Sequence, residues 1–202
     1  MVEEAEMQAL VNHENVPKVI DFHTIKRQSI LQMQRAQGID LEKLSHQIGP
    51  LPPELVMNIA IQIADILQAM RNGTITRTGK VLVHGDIKPS NIVFNMETQS
   101  VQLIDWGSSV WAQMDVNGQP TANNVLDLMS ADLQHTNARM GDVYFIGPDQ
   151  ISGELSSPRF DEQGLAATLY ALGSGQSCRY GNAVITPSSL GLPKVLAKVK
   201  TP

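Results

Sequence analysis

Residues 82–107 restrict the fold more than any other stretch, because short apolar runs alternate there with polar turns over a span that fits only a loop and a hairpin. Val81-Leu82-Val83, Ile92-Val93-Phe94 and Val101-Gln102-Leu103-Ile104 are the apolar runs, each with the length and β-branched composition of a strand. His84 to Asn91 is the polar loop between the first two, and Met96-Glu97-Thr98-Gln99 is the turn before the third. Asp86, Asn91 and Asp105 stand at three turn positions beside these runs. A loop followed by a hairpin is expected to carry all three to one edge of a small sheet, where they converge.

Taken alone, Asp86 reads as a loop carboxylate capping a turn. In combination, His84-Gly85-Asp86-Ile87-Lys88-Pro89-Ser90-Asn91 resembles the catalytic loop His-Arg-Asp-Leu-x-x-x-Asn of eukaryotic-type protein kinases, and Asp105-Trp106-Gly107 resembles their Asp-Phe-Gly element. The resemblance implies an α+β, protein-kinase-like fold with a mainly helical large lobe and a reduced small lobe. It implies ATP and Mg²⁺ as cofactors and a protein substrate with a Ser or Thr acceptor. Asp86 and Lys88 are then the catalytic pair: Asp86 takes the hydroxyl proton and Lys88 steadies the transferred phosphoryl. Asn91 and Asp105 are the metal ligands. Met33, Gln34, Ala36, Asp40, Lys88, Asn91, Val93 and Asp105 are the residues placed against the nucleotide, with Met33 as gatekeeper, Gln34 to Ala36 as hinge and Asp40 at a ribose hydroxyl. Met33 by itself reads better as ordinary core, and its nucleotide role rests entirely on the resemblance.

The resemblance also orders the rest of the chain. Residues 3–12 read as a helix with Met7, Leu10 and Val11 inward, similar to the family's αC. The resemblance makes its Lys-pairing Glu either Glu3, by the spacing to Met7 and Leu10, or Glu4, by the spacing to His13, and each reads equally as part of a solvated acidic first turn. Pro17 to Thr24 and Ser29 to Gln34 form two strands around a Lys26-Arg27-Gln28 turn. Ile39 to Leu44 opens a short helix, Gly49 to Pro53 breaks the chain, and Pro52–Arg71 has apolar residues at three-to-four-residue steps, a largely buried helix similar to αE. Asn72 to Gly79 reads as a polar surface loop. Residues 108–149 resemble an activation segment, with a loop at 116–124, a helix at 124–134 and Asp142 where the family has Thr, placed to pair with Lys88. Asp161 to Gly175 resembles αF, whose Asp braces the catalytic loop, and Pro193–Val199 reads as one weak helix. The expected domains are a partial small lobe at 1–36 and a large catalytic lobe at 37–202, cut short after αF/αG.

Two features depart from the family. No Gly-rich strand pair and no Lys-bearing strand precede the first helix, which reads as a fragment or as a reduced small lobe, with low activity either way. Gly85 replaces the Arg that senses activation-segment phosphorylation. Two other readings share the motif. One is a catalytically silent pseudokinase used for binding. The other is a small-molecule phosphotransferase of the aminoglycoside or choline kinase type, whose loop also reads His-Gly-Asp but which commonly carries His where this chain has Lys88.

Composition narrows the setting. With a net charge of -5 and no basic cluster beyond Lys194, Lys198 and Lys200, the chain lacks the electrostatic footprint of a nucleic-acid binder. No apolar run approaches the roughly 20 residues of a membrane span, and the acidic N-terminus does not resemble a signal peptide. Cys178 is the single cysteine, so no intrachain disulfide forms and a reducing cytoplasm is the expected location. Oligomeric state is left open.

Overall fold

In a computed structural model, residues 7–26, 28–76, 78–112, 145 and 159–176 are described. The expectations placed on Glu3, Glu4, residues 113–144 with Asp142, and Pro193–Val199 lie outside them. The elements are β1 (Val19–Ile25), β2 (Gln28–Met33), β3 (Ile39–Asp40), α1 (Leu41–Ile48), α2 (Pro53–Arg71), β4 (Leu82–Val83), a 3₁₀ turn (Pro89–Asn91), β5 (Ile92–Asn95), β6 (Ser100–Leu103), β7 (Val110–Trp111) and α3 (Arg159–Ser174). Residues 7–10 are helical and precede β1.

Helix α2 begins where its sequence says it should. Pro53 occupies the first turn, where the missing N–H costs nothing, and Glu54 faces the positive end of the helix dipole. Its Ile59, Ile63, Ile66 and Met70 are at most 1% exposed and form the central post of the core. Against them pack Leu41 and Leu44 of α1, Ile92 and Phe94 of β5, Val101 and Leu103 of β6, and Leu172 of α3. Removing four such side chains from water is worth on the order of 6–12 kcal/mol before chain entropy is charged.

The strands do not gather as the apolar runs suggest. β5 and β6 pair antiparallel, with Ile92 opposite Leu103 and Asn95 opposite Ser100. The Asn95 side chain closes their turn by accepting the N–H groups of Glu97 and Thr98. The third strand of that sheet is β3, with Asp40 opposite Val93. Leu82–Val83 instead pairs with Val110–Trp111 in a separate two-stranded sheet. The strand that enters the 84–91 loop is therefore braced by the chain that leaves Asp105-Trp106-Gly107, and not by the hairpin.

Two further local corrections follow. Ile39 and Asp40 belong to β3, and the helix starts at Leu41 because the Asp40 carboxylate caps it, accepting the Lys43 N–H at 2.9 Å. The 72–79 stretch is not simply a surface loop: Ile75 and Thr76 are buried. Thr76 bridges to Val11, and the Ile75 carbonyl accepts the Asn12 N–H at 2.8 Å. One isoleucine in a polar stretch is enough to pull the loop onto the core.

Candidate active site

The loop between β4 and the 3₁₀ turn, at residues 84–88, is held from beneath by α3. Asp161, in the first turn of that helix, accepts the His84 N–H through Oδ2 at 2.7 Å and the Gly85 N–H through Oδ1 at 2.8 Å. On the same helix face, Thr168 donates to the Ile87 carbonyl at 3.5 Å. Gly164 lies so near the loop that a Cβ there would come within 3.0 Å of Ile87. Three residues at spacings of three and four thus cradle His84, Gly85 and Ile87. Asp161 is the brace expected from the sequence, whereas Gly164 and Thr168 were not singled out. Their signal is visible only once Asp161 sets which face of the helix looks at the loop.

Above that support, the Asn91 side-chain amide donates to both the backbone carbonyl and Oδ2 of Asp86, at 2.9 and 3.0 Å. The Lys88 ammonium lies 2.9 Å from the same Oδ2. Asp86 and Asn91 are buried, at 8% and 5% exposure, so these charge-assisted contacts fix the carboxylate plane. Committing Nδ2 to Asp86 turns the Asn91 Oδ1 the other way. Asp105 comes alongside because the Asn91 carbonyl accepts the Ile104 N–H at 2.9 Å. Asp105 itself is exposed and has φ +63, the left-handed region that few non-glycine residues adopt outside functional sites.

His84 locks the two halves together. Its Nδ1 accepts the Asp86 N–H at 3.3 Å, so Nε2 carries the proton and faces the Ile104 carbonyl at 3.2 Å. The Trp106 ring packs edge-on against it at 4.8 Å. Burial holds the imidazole down at about 4, outweighing the pull of Asp86 and the Ile104 carbonyl, so it is neutral at physiological pH. Burial pushes the Asp161 carboxyl up to about 7, against the two N–H donors that favour its charged form.

The arrangement also has matches among known proteins. The family model described as "Protein kinase domain" matches residues 1–188. The chain belongs to the protein kinase family. Among curated relatives, a probable serine/threonine-protein kinase of Clostridium perfringens is 27% identical over 183 residues, covering 91% of this chain and 23% of the relative. Serine/threonine-protein kinase PrkC of Bacillus subtilis is 26% identical over 173 residues, 86% of this chain and 23% of its own. PknB of Mycobacterium leprae is 25% identical over 191 residues, 91% of this chain and 26% of its own. The chain spans about a quarter of the length of these relatives.

The remaining positions named from the sequence lie at the end of β2, in the stretch that follows it, and on the paired strands β3 and β5. Met33, at the end of β2, is half-buried, and its sulfur receives the Gln8 amide at 3.8 Å. Gln34 is tied back to the residue before β1, its N–H donating to the Lys18 carbonyl at 2.8 Å, and Ala36 is half-buried beyond it. Val93 is 8% exposed and faces Asp40 across β3 and β5, so the sheet joins the strand that leads into α1 to the strand that leaves Asn91. Asp40 is already engaged: one oxygen caps α1 and the other pairs with the Lys43 ammonium at 2.8 Å. Partial burial raises its carboxyl, but the Lys43 contacts outweigh this and hold it below the usual range. Any ribose contact there has to compete with Lys43. Among the described residues no helix is long and apolar enough to cross a membrane.

Proposed function

We propose that this chain carries the large-lobe chemistry of an ATP-dependent serine/threonine protein kinase, and the observation that carries the reading is the shared Oδ2 of Asp86. Lys88 and Asn91 both reach that oxygen, which orients the carboxylate as a base for an incoming hydroxyl while leaving a cation beside it. Asp86 accepts the proton of a Ser or Thr hydroxyl on a protein substrate, and Lys88 offsets charge on the transferred phosphoryl. Asn91 Oδ1 and the Asp105 carboxylate are hard oxygen donors on adjacent backbone segments, and such a pair fits Mg²⁺. Bound Mg·ATP supplies the phosphoryl group and the positive charge that screens it. Met33, Gln34, Ala36 and Val93 line the approach of the base, with Asp40 at its rim. A cytoplasmic location accords with the single cysteine.

Positioning supplies most of the catalysis in phosphoryl transfer, and these 202 residues contain no Gly-rich strand pair to cover the phosphates. The chain by itself is therefore expected to bind Mg·ATP weakly and to transfer little phosphate. Calorimetric titration with Mg·ATP tests this: weak binding should be present and should vanish in Asp105→Ala and Asn91→Ala. Binding that survives both substitutions, or labelled phosphate transfer that survives Asp86→Ala, overturns the assignment.

A further inference from the structure

Among the described residues, Trp106 is the largest side chain wholly removed from water, and it directly follows Asp105. Its indole N–H donates to the Leu103 carbonyl at 3.3 Å, three residues back at the end of β6. The loop so closed holds only Ile104 and Asp105. Ile104 is fixed on both sides, its N–H on the Asn91 carbonyl and its own carbonyl facing the His84 ring. Asp105 holds itself less firmly: its Oδ1 receives the Gly107 N–H at 3.4 Å, long for such a bond. Its φ of +63 is costly for a residue with a Cβ and persists only where the surroundings over-determine it.

The indole bond is the tie that spans Asp105, because it joins the residue after it to the end of the strand before it. The Trp106 carbonyl extends the tie by accepting the Ser109 N–H at 3.1 Å, and the ring rests edge-on against His84. A phenylalanine here could keep that edge-on contact, but it has no donor for Leu103. The N–H is thus a separable contribution of this chain's tryptophan. We propose that Trp106 is a positioning residue for phosphoryl transfer, its indole N–H holding Asp105 in the left-handed conformation that sets its carboxylate against Asn91 for the divalent cation. The proposal rests on the phosphotransferase reading above and adds to it a side chain that touches neither metal nor nucleotide. Its consequence is selective: without the N–H, Asp105 relaxes, and what the metal contributes to nucleotide binding is lost while contacts to the base remain.

The test compares the full unaltered chain with Trp106→Phe and with a chain in which Trp106 is replaced by its benzothiophene analogue, which keeps the bicyclic shape without an N–H. Ligand-observed NMR gives the Kd for Mg·ATP and, separately, for adenosine, which carries no phosphate and needs no metal. Both altered chains should bind Mg·ATP at least fivefold more weakly and adenosine within twofold of the unaltered chain. A merely structural role would weaken both ligands together. That result, or an unchanged Kd for Mg·ATP in the benzothiophene chain, overturns the proposal. An unaltered chain that binds Mg·ATP no more tightly than adenosine sinks the phosphotransferase reading before any substitution is made, and the proposal with it. A second measurement needs no ligand. Amide hydrogen exchange at Ile104 and Ser109 should quicken at least tenfold in the benzothiophene chain while the α2 amides stay as protected as before, and unchanged exchange at those two amides overturns the clamp.

Discussion

Asp161 receives the backbone N–H of Gly85 across 76 residues of sequence, at 2.8 Å and wholly out of water. With the neighbouring bond from His84, one carboxylate satisfies two buried donors that have no water to turn to. Truncation to Asp161→Ala orphans both, each at about 1–3 kcal/mol. The expected loss is about 2–6 kcal/mol, read as a drop in the urea midpoint with an unchanged m-value.

Asp161 and His84 together set a pH signature. Burial pushes the Asp161 carboxyl to about 7 in the folded chain against an ordinary 3.8 when unfolded, so the folded state holds an extra proton between those values and stability falls as pH rises through them. His84 titrates near 4 folded and near 6.5 unfolded, so its contribution is full above 6.5 and is lost as pH falls toward 4. From about pH 4 to 6.5 the two slopes oppose. Asp161→Asn removes one of them, and its unfolding free energy should climb across that window by up to about 3 kcal/mol. The unaltered chain should stay nearly flat there, and matching profiles for the two proteins in denaturant titrations would show that Asp161 does not carry this proton.

Gly85 has φ +83, and a Cβ on it would lie 2.8 Å from the Ser108 carbonyl oxygen. Kinases of the family commonly carry Arg here, so the position invites a restoring substitution. Gly85→Arg and Gly85→Ala both place a Cβ against backbone in a left-handed conformation, at a cost of about 1–3 kcal/mol. Equal losses in the two variants, by thermal unfolding, would assign the cost to that Cβ. A larger loss in Gly85→Arg would assign the excess to the guanidinium.

Much of the site was legible because Asp86, Lys88 and Asn91 lie within six residues and a tight hairpin returns the chain to Asp105. Local spacing settles such geometry before any tertiary contact forms. The pairing of Leu82–Val83 with Val110–Trp111 was not legible, since two-residue strands carry no periodicity. Ile75 was missed because composition describes a stretch, and burial there rests on one side chain. Asp40 was read for a ligand while its nearer partner, Lys43, stood one helical turn away in an ordinary capping pattern. Gly164 and Thr168 act through a helix face whose direction depends on packing more than seventy residues away from the loop they support.

Gly164 offers the sharpest check on that support. Replacing a mid-helix glycine by alanine ordinarily stabilises a helix by about 1 kcal/mol. Here the new methyl would stand 3.0 Å from both the Cβ and the carbonyl oxygen of Ile87, tighter than a relaxed contact, and overpacking of this kind costs about 1–3 kcal/mol. The two effects nearly cancel in global stability, so Gly164→Ala should change the unfolding free energy by no more than about 2 kcal/mol, as a loss. The local effect does not cancel, because Ile87 can yield only by lifting the loop off Asp161 and Thr168. Amide hydrogen exchange should therefore quicken at His84 and Gly85 by at least tenfold while the α2 core amides stay protected. Unchanged exchange at those two amides would mean that α3 has room to recede, and that Gly164 does not set the height of the loop.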